Sequence, residues 1–125
     1  MTSTQNSIPT AKCSANLDLR SRNTFGFDAS AELAYEITAA EQIPVAMKEI
    51  AAKKLPWRVL GGGSNVILPK ILPGATLLMN IPGIEVSQTK EDITSIAVGG
   101  GVNWHEFVSW TLEKNLPGLE NLALI

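Results

Sequence analysis

Three consecutive glycines, Gly61 to Gly63, interrupt an apolar stretch that reads VLGGGSNVIL over residues 59–68. Because glycine has no Cβ atom, such a run permits positive φ angles and lets a ligand approach the backbone closely. Ser64 and Asn65 follow at once and add a hydroxyl and a carboxamide, both of which can donate hydrogen bonds. The stretch has two interpretations, which the pattern alone leaves open: a cradle of backbone amides for an anion, or a tight hairpin turn between two strands.

Two known phosphate-binding motifs do not fit the glycine positions. A P-loop requires G-x-x-x-x-G-K-[ST], and no glycine in this sequence precedes a Lys-Ser or Lys-Thr pair. A dinucleotide-binding motif requires G-x-G-x-x-G at the start of a helix, and its third glycine would fall on Val66 or Trp104. An anion cradle here would therefore lie between two strands, because residues 66–68 predict a short strand that Pro69 ends.

The composition argues against several classes of function. With 125 residues, of which 45% are hydrophobic and 18% charged, the chain can form a globular domain with a hydrophobic core. A net charge of -2 and a pI of about 5.3 argue against nucleic-acid binding, which needs a clustered basic face. No run of about 18 apolar residues is present, so we expect no membrane span. Since the single cysteine forms no internal disulfide, we expect a cytoplasmic protein.

Few side chains point to catalysis or metal binding. One cysteine, Cys13, and one histidine, His105, are too few for a conventional Cys/His zinc site. Cys13 is interpreted as a surface thiol within a flexible leader, residues 1–21. His105 falls in the first turn of a predicted helix and is interpreted as a partly exposed helix residue. The three tryptophans are interpreted as core residues, although each could stack on an aromatic ligand.

Hydrophobic periodicity predicts a strand and then a helix in the first half of the chain. Residues 31–38 alternate apolar and polar side chains, which is typical of a half-buried strand. Thr38 and Glu41 then have the spacing of a capping box, and apolar residues at helical spacing follow as far as a Lys-Lys pair. Pro44 favours a helix that begins nearer to itself, because proline is tolerated in the first turn and not beyond it.

The second half is richer in strands. Asn103 and Glu106 repeat the capping-box spacing before an amphipathic helix that reaches about residue 114. The other apolar runs, each bounded by turn residues, predict strands at 57–60, 66–68, 75–81, 84–86 and 94–98. This order of elements predicts a mixed α+β fold with two small subdomains. We expect the first subdomain at residues 22–70 and the second at residues 71–125.

Four segments, in order along the chain, together match the signatures of one enzyme family. Arg22-Asn-Thr-Phe-Gly26 contains the sequence N-T-F-G, and Leu60-Gly-Gly-Gly-Ser-Asn-Val66 contains the sequence G-x-G-S-N. Gly99-Gly-Gly-Val-Asn-Trp104 and Leu116-Pro-Gly-Leu-Glu-Asn-Leu-Ala-Leu-Ile125 match two later segments. Over about residues 22–125 the chain resembles the UDP-N-acetylenolpyruvoylglucosamine reductase family, also called UDP-N-acetylmuramate dehydrogenase.

The resemblance implies an FAD-binding domain of the p-cresol methylhydroxylase and vanillyl-alcohol oxidase type, with the flavin held between two α+β subdomains. In the family, hydride from NADPH reduces FAD, and the reduced flavin converts a UDP-sugar enolpyruvate to UDP-N-acetylmuramate for peptidoglycan. The residues that the resemblance places at the FAD pyrophosphate are Gly61, Gly62, Gly63, Ser64 and Asn65. Leu60 would lie against the cofactor at the edge of the loop, and Ile125 would start the contacts on the isoalloxazine side.

The resemblance assigns no catalytic residue to this chain. The family continues past Ile125 with a further flavin loop and a substrate domain that carries its proton donor, so we expect a truncated chain that is inactive alone. We expect a monomer, whose full-length form acts on a UDP-sugar. Two alternatives stay open: a stand-alone module that binds a nucleotide or another anion without chemistry, and a related FAD-linked oxidase with another substrate.

Overall fold

The computed structural model describes residues 10–123, which fall into two compact units. The first unit ends at Met79 and the second begins at Asn80. This division corrects the subdomain boundary expected at residue 70, because the strand that follows residue 70 lies inside the first sheet. Both units combine strands and a helix, which confirms the α+β class predicted from the order of elements.

One sheet and one helix form the first unit. Strand β1 spans Lys12–Asp18, β2 Ser30–Ile37, helix α1 Gln42–Ala52, β3 Trp57–Leu60 and β4 Ile71–Met79. The strand order is β1-β2-β4-β3, in which β1 is antiparallel to β2 and β4 runs parallel to both of its neighbours. The strands predicted at 31–38 and 57–60 are thereby confirmed.

Strand β1 lies within the segment expected to be a flexible leader. Its pairing with β2 places Cys13 opposite Tyr35 and Leu17 opposite Ala31. Because it is an edge strand with mostly exposed side chains, it carries little of the apolar alternation that identifies a strand in sequence. The leader prediction for residues 1–21 is therefore wrong from Lys12 onward, and residues 1–9 lie outside the described chain. Cys13 is exposed, as interpreted.

Residues 61–70 form a loop, and the short strand predicted at 66–68 is wrong. Strand β3 before the loop runs parallel to β4 after it. This arrangement excludes the hairpin interpretation of the glycines, because the strands of a hairpin are antiparallel. Val66 and Leu68 pack against the apolar core instead, and this packing accounts for their hydrophobic character.

Strand β4 begins at Ile71, earlier than the predicted start at residue 75. Pro73 and Gly74, interpreted as a turn, lie inside the strand. Gly74 has a φ of 74°, and its N–H donates to Oε2 of Glu32 at 2.6 Å. The register with β2 is irregular at this point, as in a β-bulge, and proline and glycine inside a strand commonly mark such a feature.

Helix α1 covers one face of the first sheet. It buries Ala46 and Ile50, and the buried Tyr35 of β2 donates a hydrogen bond from its hydroxyl to Glu49 at 3.3 Å. The capping box predicted at Thr38 is wrong, because the helix begins only at Gln42. Oε1 of Gln42 reaches back and accepts a hydrogen bond from the main-chain N–H of Thr38 at 2.8 Å.

The main apolar cluster brings together side chains of β2, β3 and β4 with those of the segment between β1 and β2. The cluster consists of Leu19, Ala29, Ala31, Ala34, Leu60, Leu72 and Leu78, with Leu17, Phe27, Val66 and Leu68 packed against it. Leu60 lies just before the three glycines and Val66 shortly after them. The glycine loop, which we define as Gly61–Asn65, is therefore anchored to the core at both ends.

The second unit is a hairpin followed by a helix. Strand β5 spans Ile84–Lys90, β6 Ile93–Val98 and helix α2 Trp104–Glu113. The predicted strand pair is confirmed, with longer strands than expected and a tight turn at Glu91 and Asp92. The predicted cap of α2 is confirmed too, since Oδ1 of Asn103 accepts from the N–H of Glu106 at 3.1 Å. Neither described helix has the length and apolarity that crossing a membrane requires.

Candidate functional site

The glycine loop follows the carboxyl end of β3 in the parallel part of the first sheet. In sheets with parallel strands, ligands usually bind outside the carboxyl ends of the strands, where loops leave the sheet. The loop is largely exposed, except for Gly63. Its position therefore suits a binding site on a rigid support.

The main-chain N–H groups of the glycine loop are not used within the fold. Between residues 10 and 123, none of the five N–H groups of Gly61–Asn65 donates a hydrogen bond to another residue. Successive unpaired backbone donors in a tight loop form a concave surface that binds anions without a formal positive charge. The cradle interpretation thus has the donors that it requires.

Gly61 and Gly62 have no steric reason, within the described chain, to be glycine. A Cβ atom added at either position would meet no atom within 4 Å, and neither has a positive φ. The fold would accept a larger side chain there. A ligand that approached the backbone closely would favour glycine at both positions.

Gly63 differs, because packing within the protein requires it. Its φ is 70°, and an added Cβ would lie 2.1 Å from the carbonyl oxygen of Arg22 and 2.8 Å from Cα of Asn23. Its carbonyl oxygen accepts a hydrogen bond from the N–H of Thr24 at 2.9 Å. Gly63 is therefore the point at which the glycine loop docks on the chain around residue 23.

The segment that Gly63 contacts, residues 19–27, is held in shape by one buried side chain. We call it the bracing segment. Nδ2 of Asn23 donates to the carbonyl oxygens of Leu19 at 2.8 Å and Phe27 at 3.3 Å. Oδ1 of Asn23 accepts from the N–H of Phe27 at 2.8 Å. Asn23 and Thr24 belong to the N-T-F-G motif, but the sequence alone gives neither residue a role. The motif marks these residues in the sequence, but it does not reveal their contact with the glycine loop, because that contact is tertiary.

The arginines of the bracing segment are already paired. Arg22 lies 2.7 Å from Glu36, and Arg20 lies 3.0 Å from Asp28. Neither offers an unpaired charge to an anion. A ligand at the glycine loop would therefore be held chiefly by backbone dipoles. No three His, Cys, Asp or Glu side chains within residues 10–123 are grouped so as to hold a metal ion.

The second glycine cluster, Gly99–Gly101, has a structural explanation. An added Cβ would lie 2.3 Å from the carbonyl oxygen of Ile81 at Gly99 and 2.5 Å from the backbone of Asn80 at Gly101. The N–H groups of both glycines are also occupied, by Gly83 at 2.8 Å and Ile81 at 2.9 Å. Glycine at positions 99 and 101 therefore allows two backbone segments to pack, and neither N–H is free.

The other residues expected at the site have different surroundings. The side chain of Leu60 is buried in the core, so only its main chain can face a ligand. Ser64 and Asn65 are exposed, and their side chains are accessible to a ligand. Ile125, expected to start the isoalloxazine-side contacts, lies outside the described residues. His105 is exposed in the first turn of α2, as interpreted from the sequence.

The tryptophans depart from the core role expected of them. Trp57 is 54% exposed on the edge strand β3, so the core interpretation is wrong for this residue. Trp104 is 38% exposed and donates from Nε1 to the carbonyl oxygen of Leu122 at 2.7 Å. Trp110 is partly buried and stacks with Phe107, with ring centroids 6.4 Å apart.

Comparison with known proteins gives consistent relatives. The chain is 67% identical, over all of its 125 residues, to a UDP-N-acetylenolpyruvoylglucosamine reductase of Polynucleobacter asymbioticus, and covers 36% of that protein. It is 47% identical over 89% of its length to the enzyme of the same name from Paraburkholderia phytofirmans, and covers 32% of it. The chain therefore spans about a third of the length of these curated relatives. Both names are those of the family that the four sequence segments resemble, so that resemblance is confirmed.

A family model described as an FAD binding domain matches residues 31–125, which include both glycine clusters and most of the two units. This match agrees with the fold type implied by the motifs, the FAD-binding domain of the p-cresol methylhydroxylase and vanillyl-alcohol oxidase type. The free amides after β3 and the two unconstrained glycines are compatible with a phosphate-bearing cofactor. The chain belongs to the family of FAD binding domains.

Proposed function

We propose that the chain is the FAD-binding part of an NADPH-dependent reductase that converts UDP-N-acetylglucosamine enolpyruvate to UDP-N-acetylmuramate. The relatives' names and the ordered motifs support this assignment. The reaction would serve peptidoglycan synthesis in the cytoplasm, and through it cell-wall formation, cell shape and division. The full-length protein would act as a monomer on a small UDP-sugar, without nucleic acid or membrane as a partner.

The glycine loop is the proposed FAD pyrophosphate site. One observation carries this proposal. Within the described residues the loop combines N–H groups that have no partner, at Gly61–Asn65, with two glycines that the fold itself does not require. The exposed side chains of Ser64 and Asn65 would add donors. Leu60 would contribute a main-chain contact at the edge of the loop. Ile125 would begin the contacts on the isoalloxazine side.

When bound, FAD would supply the hydride-transfer chemistry between the nicotinamide and the enolpyruvyl double bond. This chain's residues bind and orient the cofactor through uncharged donors. Protonation of the substrate needs a positioned acid, and we assign none to this chain. Reductase activity is accordingly proposed for a full-length protein, and cofactor binding for the chain itself.

Flavin binding is tested with the purified chain and FAD. We expect saturable quenching of FAD fluorescence, and a loss of affinity of about tenfold or more in the Ser64→Ala, Asn65→Ala double variant, since each lost charge-assisted hydrogen bond is worth about 1 to 3 kcal/mol. The matched control is Ser87→Ala on β5, which removes an exposed hydroxyl outside the proposed site. A wild-type chain that leaves FAD fluorescence unchanged would refute the proposal for the chain.

The same titration separates the flavin from a general phosphate ligand. The free amides fit any diphosphate, so a non-catalytic nucleotide-binding module remains the second candidate function. Displacement of FAD by ADP at equal concentration would favour that candidate, because the flavin ring would then add no affinity. A clear preference for FAD over ADP favours the reductase assignment.

A further inference from the structure

The bracing segment controls the direction in which the glycine loop presents a donor. The carbonyl of Gly63 accepts from the N–H of Thr24 at 2.9 Å. The peptide unit between Gly63 and Ser64 is planar and trans, so its C=O and N–H point in opposite directions. Because the C=O points at the bracing segment, the N–H of Ser64 points away from it. This N–H makes no hydrogen bond within residues 10–123, and Ser64 is exposed.

The N–H of Thr24, which fixes the peptide between Gly63 and Ser64, is itself held in place by Asn23. The buried carboxamide of Asn23 binds three main-chain groups of the segment, at Leu19 and Phe27. Asn23 also packs against Gly63, since its Cα would lie 2.8 Å from a Cβ at that position. A shift of Asn23 would therefore move the N–H of Thr24 relative to Gly63.

We propose that Thr24, through its main-chain N–H, and Asn23, through its carboxamide, are positioning residues for the anion site. They hold the peptide of Gly63 and Ser64 so that the Ser64 N–H faces the ligand. Neither residue touches the ligand in this account. The proposal rests on the proposed function for the nature of the ligand, an FAD diphosphate, and on hydrogen bonds of the chain itself for the orientation.

Thr24→Pro is the sharpest variant, because it removes the N–H and directs the ring Cδ at the carbonyl oxygen of Gly63, so the contact with the glycine loop is broken. The N–H of Gly26 bonds to the carbonyl of Asn23 at 3.3 Å, and neither Thr24 nor Phe25 has a positive φ, so Thr24 occupies the second position of a type I turn. Proline is favoured at that position. Asn23 has φ -142° and ψ 142°, the extended conformation that precedes proline well. Thr24→Ala is the control for loss of the exposed side chain, because this variant keeps the N–H.

The first measurement is the FAD dissociation constant of the full chain and its variants. We expect Thr24→Pro to weaken FAD binding about tenfold and Thr24→Ala to change it by less than about twofold, because only the former loses the hydrogen bond to Gly63. Gly74→Ala strains the same sheet at a distant bulge, with φ 74° and a Cβ 2.2 Å from the carbonyl oxygen of Pro56. As a folded protein it should keep its FAD affinity, which separates positioning from general destabilisation. Equal affinity for Thr24→Pro and wild type would overturn the proposal.

The second measurement needs no flavin and also covers a Thr24→Pro variant that fails to fold. In the wild type the N–H of Thr24 should be protected from hydrogen exchange, because it bonds to Gly63. Asn23→Asp keeps the acceptor for Phe27 but loses both Nδ2 donors, so protection at Thr24 should fall about tenfold. Unchanged protection would overturn the role of Asn23. If the wild type binds no FAD yet Thr24 loses protection in Asn23→Asp, the proposed function fails while the bracing mechanism stands.

Discussion

The two glycine clusters look alike in sequence and differ in what surrounds them. In the second cluster an added Cβ at Gly99 or Gly101 would lie within 2.5 Å of backbone atoms, and the N–H groups of both are occupied. In the first cluster only Gly63 is constrained in this way. Gly61 and Gly62 face open space, and their N–H groups have no partner within residues 10–123.

The difference shows that a glycine run does not by itself indicate a ligand site. Glycine is required wherever another atom comes close to Cα, and that atom can belong to the protein or to a ligand. For the second cluster the protein supplies the atom. For Gly61 and Gly62 it does not, so a ligand is the better explanation. Substitutions that add only a methyl group at each position test this contrast.

The largest effect is expected for Gly63→Ala. The substitution combines a positive φ with a Cβ 2.1 Å from the carbonyl oxygen of Arg22, so we expect a loss of roughly 3 kcal/mol or more in the free energy of unfolding. Urea denaturation followed by tryptophan fluorescence measures it. Gly74→Ala, strained in the same way outside the site, should lose a similar amount. A Gly63→Ala chain as stable as wild type would mean that the glycine loop does not dock on the bracing segment.

Alkaline pH is expected to destabilise the unit that carries the first cluster. Burial, and then the neighbouring Cys13 and Glu49, raise the pKa of Tyr35 from 10.0 to about 12. Because the pKa is higher in the folded state, stability is fully present below pH 10 and is lost as pH rises towards 12. Because the hydroxyl of Tyr35 is only partly buried, solvent screening reduces the loss to roughly 2 kcal/mol.

Absorbance at 295 nm reports this titration directly, because Tyr35 is the single tyrosine of the sequence. Urea midpoints from pH 9 to 12 give the accompanying change in stability. Tyr35→Phe keeps the ring and should remove the tyrosine-dependent part of the pH dependence. A tyrosine that ionises near pH 10 without unfolding would contradict the burial of this residue.

Gly62→Ala and Gly99→Ala should have opposite consequences. Gly62→Ala should change stability by less than about 0.5 kcal/mol, because its Cβ meets nothing, and weaken FAD binding about tenfold. Gly99→Ala should cost roughly 2 kcal/mol of stability through the clash with Ile81, and leave FAD affinity unchanged while the chain is folded. Denaturation and FAD titration on the same samples measure both effects. If Gly62→Ala binds FAD as wild type does, the two clusters do not differ in function.

The smallest effect is expected next to the second cluster. Asn103 caps helix α2, and Asn103→Ala should reduce stability by about 1 kcal/mol. Asn103→Ser, which retains a capping oxygen, serves as the control and should recover most of the loss. FAD affinity should not change in either variant, because the cap belongs to the structural cluster. A loss of flavin affinity in Asn103→Ala alone would extend the site to this region.

The sequence predicted the elements whose signals are local. The cap at Asn103, the strand before the glycines and the hairpin of the second unit all follow from neighbouring residues. The glycine loop was also identified locally, because glycine, serine and asparagine together indicate backbone exposure and hydrogen bonding. Its assignment to a flavin came from the family resemblance and not from spacing.

The features that the sequence did not predict depend on tertiary partners. Strand β1 has a polar sequence, and it is a strand because its backbone pairs with that of β2. Val66 and Leu68 look like a strand but are apolar because they cover the core. Pro73 and Gly74 look like a turn, yet they lie in a bulge of β4 that Glu32 of the neighbouring strand β2 stabilises. The contact between Thr24 and Gly63 joins residues far apart in the chain, so no local pattern contains it.

We propose above that the main-chain N–H groups of Gly61–Asn65 bind the diphosphate of FAD. Amide hydrogen exchange of the chain, followed by NMR with and without FAD, tests it most directly. We expect fast exchange at these amides in the free chain and slower exchange at saturating FAD, with Gly99–Gly101 unaffected. Amides that are already protected without ligand, or that stay unprotected when FAD is bound, would contradict it.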